Sequence, residues 1–320
     1  MPKRTDHFDG KKFFVPDIKV KKNWWKVLYW KFFDNKKKTW PIFQGKNAIP
    51  SIAEHVNANQ LSTTYINHAT HLIQLHQMNI LTDPVFSYRV SPFKQIGPKR
   101  FRSPGVLIKD LPRIDVIVIS HNHYDHLDLS SLQKLWEMHK MTIIVPLGNK
   151  KIVEKSNATK IIELDWWESI QITPEKKITL VPAQHWSARS LWDANKALWG
   201  GFVIEADDLK IYFSGDTGYG KHFKEIHEYF GKIDVSILPI GAYEPRWFMK
   251  EQHMNPEEAV LAHLDLKSHL SIASHHLTFQ LSDEGVDEPA IELKESLKKW
   301  EVSPHHFLIP ENGETIEFNL

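Results

Sequence analysis

The stretch "DVIVISHNHYDHLD", Asp115 to Asp128, decides how this chain is read. Its first part, "DVIVIS", is a short apolar, β-branched run bounded by polar residues, the pattern of a buried strand. Its second part crowds three histidines and two aspartates into the nine positions from Ser120 to Asp128. His121, His123, Asp125 and His126 form the pattern H-x-H-x-D-H. These side chains start where the strand stops, on a loop held by a rigid element. A metal site needs such support, because ligand geometry must hold within a fraction of an ångström. Imidazole and carboxylate together suit zinc and similar ions. Chance clustering among the 19 histidines, or a solvated polar loop, would also put His and Asp together. The regular spacing at a strand end argues against both.

Further donors follow other apolar runs. "VPAQHWS" places His185 after one strand, "FSGDTGY" places Asp216 after another, and "SIASHHLTF" places His275 and His276 after a third. Each alone is weak, since a single His near a strand is more often a hydrogen-bonded structural residue. Combined with the first loop, they can supply two adjacent metal ions that share a carboxylate. The strands expected are "TTYINH", "HLIQLH", "NILTD", "DVIVIS", "TIIVP", "KIIEL", "SIQIT", "KITLVPA", "GFVIEA", "LKIYFSG" and "DVSILPI". Helices are expected to begin at Ser130, Lys221, Pro256 and about Glu288. The third has a start signal in Asn255 as N-cap, Pro256 at N1 and Glu257 and Glu258 in the first turn. Strands with interspersed helices imply an α/β protein with two sheets covered by helices.

Composition bounds the rest. A chain of 320 residues with 42% hydrophobic and 25% charged residues is an ordinary globular sequence that can bury a full core. The net charge of +1 gives no bulk attraction to nucleic acid. With no Cys there is no disulfide and no thiolate ligand, so any metal is held by His, Asp or Glu. No signal-peptide pattern and no apolar run of spanning length are seen, so the cytoplasm is the expected location.

Residues 1–45 differ from residues 46–320, which read as one main domain. Trp24, Trp25, Leu28, Tyr29, Phe32 and Phe33 fall on one broad face of a helix, with lysines interleaved. Such a helix suits a membrane interface, where acidic headgroups attract the lysines. Packing against the body of the protein is the competing explanation.

The ligand pattern resembles the metallo-β-lactamase superfamily. That resemblance implies an αββα sandwich of two mixed β-sheets flanked by helices, with a two-metal site on one edge. Within it, "LTDPVFSYRVSP", "GPKRFRSPG", "ISHNHYDHLD", "ELDWWE", "QHWSAR", "NKALWGGF", "GDTGY" and "PIGAYEPRWFMKEQHMNPEEAV" are similar to the N-acyl-phosphatidylethanolamine-hydrolysing phospholipases D. The similarity runs from about Thr63 to about Asn312 and leaves residues 1–45 unmatched. It implies two zinc ions, one on His121, His123 and His185, the other on Asp125, His126 and His275, with Asp216 bridging both. Where the family has His-Trp-Gly at the last ligand, this chain has His275-His276-Leu277, so His276 is the other candidate. In "INHATHL", His68 fits the family pattern and His71 is extra.

A hydroxide bridging two cations is a nucleophile at neutral pH, and the cations offset charge on a phosphodiester. The resemblance therefore implies a metal-dependent phosphodiesterase that releases an N-acylethanolamine and phosphatidic acid. Asp125 and Asp216 take part as ligand carboxylates. His253 is the candidate proton donor to the leaving group, and Gln252 its neighbour at the substrate mouth. Tyr124 is expected to hydrogen-bond a phosphate oxygen or to pack beside the metals. Arg189 is expected to pair with a phosphate or to sit in a surface salt bridge. Arg246 reads as structural, and Trp166 and Trp167 as core or as acyl groove. The partners implied are a phospholipid and a peripheral membrane surface, with a homodimer carried over from the family. The competing readings are a sugar-phosphate lactonase, a nuclease like the tRNA 3′-processing enzymes and a metal-free binding module. The basic aromatic segment counts against the first, the low net charge against the second and the complete donor set against the third.

Overall fold

The "VIV" run of the opening stretch lies at the centre of a sheet with both faces covered, which is why it does not alternate with polar residues. The computed structural model describes residues 5–16, 18, 37–56, 60–93 and 95–319. The helix expected over Trp24 to Phe33 lies outside these residues.

One seven-stranded sheet contains β1 (Gln60–Asn67), β2 (Thr70–Leu75), β3 (Met78–Thr82), β4 (Val116–Val118), β5 (Thr142–Pro146), β6 (Ile161–Leu164) and β14 (Thr315–Asn319), in the order β14-β1-β2-β3-β4-β5-β6. The other contains β7 (Ser169–Thr173), β8 (Lys176–Val181), β9 (Gly201–Ala206), β10 (Leu209–Phe213), β11 (Val235–Pro239), β12 (Leu270–Ser274) and β13 (Phe307–Leu308), in the order β13-β12-β11-β10-β9-β8-β7. Each sheet is mixed. The β1–β2–β3 and β7–β8–β9–β10 runs pair antiparallel, whereas β3 to β6 and β10 to β13 pair parallel.

The parallel strands require crossovers, and these carry the helices. Helix α1 (Leu129–His139) links β4 to β5, and the single-turn α2 (Lys150–Val153) links β5 to β6. Helix α3 (His222–Phe230) links β10 to β11. The short α4 (Arg246–Met249) and α5 (Pro256–Asp265) link β11 to β12, and α6 (Glu288–Lys299) links β12 to β13. The layers follow from side-chain alternation. Val116 and Val118 face the second sheet and pack with Ile178, Phe202, Ile211 and Ile237. Ile117 and Ile119 face outward onto Leu132, Leu135 and Trp136 of α1. On the far side Phe223, Val260 and Leu293 of α3, α5 and α6 cover Val203, Tyr212 and Leu238. The architecture is the expected sandwich.

Local signals resolve well where they are capped. Asn255 caps α5 by accepting from the Glu258 amide while the Glu258 carboxylate accepts from the Asn255 amide, a complete capping box. Asp128 caps α1, which starts at Leu129, one residue before the expected Ser130. Helix α3 starts at His222, one residue after Lys221. Strand β13 is too short to stand out in the sequence and exists through pairing with β12, whereas "TIEFN" of β14 alternates, with Ile316 and Phe318 packed on the core, but is not among the strands expected.

The described part of residues 1–45 is packed onto the body. Phe8 and Phe13 are buried in the core between the sheets. The His7 ring stacks on Trp166 at 4.5 Å and its Nε2 lies 2.7 Å from Asp165. Trp40 donates from its indole nitrogen to the Glu284 carbonyl. Among the described residues no helix is long and apolar enough to cross a membrane.

Candidate metal centre

The C-terminal ends of β4, β8, β10 and β12 open onto one edge of the sandwich, and the turn between β1 and β2 joins them there. Strand β3 ends at Thr82, and Asp83 follows it, fully buried. The Asp83 carboxylate accepts from the Ser120 amide at 2.7 Å and the Ser120 hydroxyl at 2.5 Å, and lies 2.7 Å from His126 Nδ1. With its own hydrogen given to Asp83, Ser120 Oγ accepts from His121 Nδ1 at 2.9 Å. His185 Nδ1 donates to the Gln252 carbonyl at 2.9 Å. Each of these bonds places a proton on Nδ1 and turns Nε2 of His121, His126 and His185 to the interior, where, against the cost of burial, Asp216 and Asp125 raise the pKa of His126 well above the ordinary value.

His121 Nε2 lies 2.8 Å from His123 Nδ1, and His185 Nε2 lies 3.3 Å from the same atom. Beside this trio, Asp125 Oδ2 lies 3.4 Å from His126 Nε2, 3.6 Å from His275 Nε2 and 3.1 Å from His68 Nε2. Asp216 stands between the two groups. Its carboxylate is 3.2 Å from both His126 Nε2 and His275 Nε2, 3.8 Å from His185 Nε2 and 4.0 Å from His121 Nε2. Gly215, at φ +59, makes this approach possible, since a Cβ there would sit 2.4 Å from Ser120 Cβ.

The electrostatics suit a cation. Burial lowers the pKa of His121 and His185 well below the ordinary value, keeping both neutral. Burial alone would raise Asp125 and Asp216, but the imidazoles around them hold both carboxyls well below the usual range. Burial likewise opposes charge on His275, yet Asp216 and Asp125 push it up to about 9. His126 Nε2, His275 Nε2 and Asp216 Oδ1 are buried without a well-directed hydrogen bond. Such groups are costly, and here they converge with anionic oxygens, so the donor set fits divalent metal. Sets of ligand atoms within 4.8 Å include His121, His123 and His185, and also His68, Asp125, His126 and His275.

The structure thus brings together His121, His123, Asp125, His126, His185, Asp216 and His275. His276 is not among them, because its ring stacks parallel on Tyr65 at 5.2 Å. His71 is also turned away, toward the Ser274 hydroxyl at 3.1 Å. His253 lies at the rim with Nδ1 3.9 Å from Asp216, and burial lowers its pKa to about 4. Gln252 reaches the centre through its main-chain carbonyl.

Tyr124 and Arg189 have other partners than those expected. The Tyr124 hydroxyl donates to the Arg189 carbonyl at 3.0 Å, and the guanidinium lies 3.9 Å over the tyrosine ring. Arg189 Nη1 donates to the Asn122 carbonyl at 2.9 Å and the Leu127 carbonyl at 2.8 Å. Both side chains therefore brace the ligand loop instead of facing a phosphate. Arg246 is structural, as expected, with Nη2 2.7 Å from Glu258. Trp166 is core, donating to the Trp199 carbonyl at 2.6 Å. Two contributors did not emerge as site residues from the sequence. Asp83 ends "NILTD" and has no ligand pattern around it, and His68, in "INHATHL", fits the family pattern but carries no role there.

The Beta-lactamase superfamily domain matches residues 78–276. "N-acyl-phosphatidylethanolamine-hydrolyzing phospholipase D 1" of Caenorhabditis elegans is 39% identical over 249 residues, covering 75% of this chain and 69% of that protein. "N-acyl-phosphatidylethanolamine-hydrolyzing phospholipase D, mitochondrial" of Saccharomyces cerevisiae is 36% identical, covering 83% of this chain and 58% of that one. Among solved structures, the isothiocyanate hydrolase from Delia radicum gut bacteria superposes with a TM-score of 0.64 at 20% identity, covering 81% of this chain and all of that one, and so shares the fold. A metal-dependent hydrolase is what fold, donor cluster and relatives have in common: the chain belongs to the metallo-β-lactamase superfamily, in its N-acyl-phosphatidylethanolamine-hydrolysing phospholipase D family.

Proposed function

We propose that this chain is a phospholipase D-type phosphodiesterase that hydrolyses N-acyl-phosphatidylethanolamine to an N-acylethanolamine and phosphatidic acid. The observation that carries the reading is the position of Asp216 between two imidazole groups, in a chain 39% identical to a relative named for that reaction. His121, His123 and His185 would hold one ion, and Asp125, His126 and His275 the other, with Asp216 reaching both. The all-nitrogen-and-oxygen donor set suits zinc. Divalent cations held there would lower the pKa of water and offset charge on the phosphodiester.

The chain's own residues do the rest. Asp83, Ser120 and the Gln252 carbonyl hold the Nδ1 atoms of His126, His121 and His185, so Nε2 is the atom each ring would offer a metal. Asp216 keeps a negative charge at the centre, and His253, 3.9 Å from it with its pKa lowered to about 4 by burial, stands at the rim as a neutral ring instead of the expected proton donor.

The test gives the zinc-loaded protein an N-acyl-phosphatidylethanolamine in mixed micelles and identifies products by mass spectrometry. Release of the N-acylethanolamine with phosphatidic acid is expected. No turnover with two metals bound would move the assignment to a soluble phosphate ester or lactone.

A further inference from the structure

Three imidazoles surround the inner oxygen of Asp125, and they are not alike. His126 Nε2 and His275 Nε2 lie 3.4 and 3.6 Å from Asp125 Oδ2, and both are buried without a well-directed hydrogen bond. His68 Nε2 lies 3.1 Å from the same oxygen and does make one. Among the described residues no other side chain makes a well-directed hydrogen bond to this carboxylate.

The proton separates the rings. An ionised carboxylate only accepts, so the hydrogen of this bond sits on His68 Nε2 and leaves Nδ1 as the bare nitrogen. His121, His126 and His185 are arranged the other way round, each held at Nδ1 with Nε2 turned inward. A ring that gives its Nε2 hydrogen to a ligand carboxylate has no lone pair there for a metal. It supports the ligand instead.

The backbone of His68 is committed to the same place. His68 follows β1 at φ 47, a left-handed conformation uncommon outside glycine. Its amide donates to the Thr278 hydroxyl at 2.8 Å. Its carbonyl accepts from the His275 amide at 2.8 Å and from the Ser274 hydroxyl at 3.0 Å. Its ring lies 4.0 Å from that of His275 and meets Phe279 edge-on at 5.2 Å. One buried residue thus grips Asp125 by its side chain and His275 by its main chain, two donors that arrive from different sheets. We infer that His68 is a positioning residue of the metal centre, whose Nε2–H fixes the Asp125 carboxylate while its carbonyl fixes His275 beside it. The inference rests on the ligand assignment proposed above, in which Asp125, His126 and His275 share one ion. It makes the two ions depend on His68 unequally, because the ligands it touches all belong to that one.

Histidine side-chain NMR of the full chain loaded with cadmium-113 reads proton and metal separately, and the wild-type spectrum needs no variant to fold. A protonated His68 Nε2 without cadmium coupling is expected, beside cadmium-coupled Nε2 on His126 and His275. Cadmium coupling to His68 would make it a ligand and overturn the inference. Chelator competition on zinc-loaded variants tests the dependence. His68→Leu is expected to weaken one ion by about 10–100-fold and to leave the other within about threefold. His68→Gln keeps an N–H donor and is expected to recover most of that loss, which a purely space-filling role would not allow. Unchanged affinity in His68→Leu, equal loss of both ions, or no rescue by glutamine overturns the inference. A wild-type chain that binds one ion fails the ligand assignment, and the role of His68 falls with it. Two ions with His68 coupled to one of them would leave the assignment standing and remove only this role.

Discussion

The two sheets supply the centre in opposite ways. The first contributes four donors from one short loop after β4, with Asp83 and Ser120 orienting His126 and His121 through side chains. The second contributes His185, Asp216 and His275 from three separate loops, and its one oriented imidazole, His185, is held by the main-chain carbonyl of Gln252. One half is a local motif with replaceable supports. The other is assembled by the fold, and its support on His185 belongs to the backbone.

That contrast can be broken at its strongest point, where the halves meet. Asp216→Ala is expected to release metal and to lower kcat/KM by about a thousandfold or more, read by metal analysis and steady-state kinetics. Full activity with two metals retained would mean that the halves do not share this carboxylate. Next in size is the side-chain support of the first half. Asp83→Asn is expected to cost about 10–100-fold in metal affinity, measured by competition with a chelator, because His126 and Ser120 lose their common acceptor. Arg189→Lys keeps the charge but loses the planar guanidinium that lies over the Tyr124 ring while its Nη1 holds the Asn122 and Leu127 carbonyls, so a loss of about tenfold in metal affinity is expected. Arg189→Ala should cost at least as much, and a neutral result for both would remove Arg189 from the support of the ligand loop. The smallest effect belongs to the second half. Gln252→Ala leaves the carbonyl in place, so metal affinity should stay within about threefold of wild type. A loss equal to that of Asp83→Asn would erase the difference between the halves.

The same contrast explains what could be read in the sequence. H-x-H-x-D-H is local, and "DVIVIS" before it is continuous because β4 is buried on both faces. The capping box at Asn255 is also local, and α5 begins where it says. Asp216 and His185 sit after apolar runs, so they could be picked as candidates, but their convergence depended on the resemblance. The choice between His275 and His276 was closed to pattern reading, since neighbours on a chain differ only in where the turn sends them. Asp83 was hidden for a related reason: its partners are 37 and 43 positions away. Tyr124 and Arg189 were near the site in sequence, but no spacing rule reveals that an arginine will bind two carbonyls of the loop it follows.

Strand β14 closes the outer side of β1 from the far end of the chain, and Thr64 meets Thr315 across 251 positions. During synthesis that edge must wait. Gln60 to Thr64 can pair with β2 almost as soon as both have emerged, yet their other row of amides and carbonyls stays open until Thr315 to Asn319 arrive. An open strand edge is a template for the wrong neighbour. Ribosome-bound intermediates of this protein should therefore be its most aggregation-prone species, and a slow final step of β14 docking is expected to limit the yield of soluble protein more than the assembly of the metal loops.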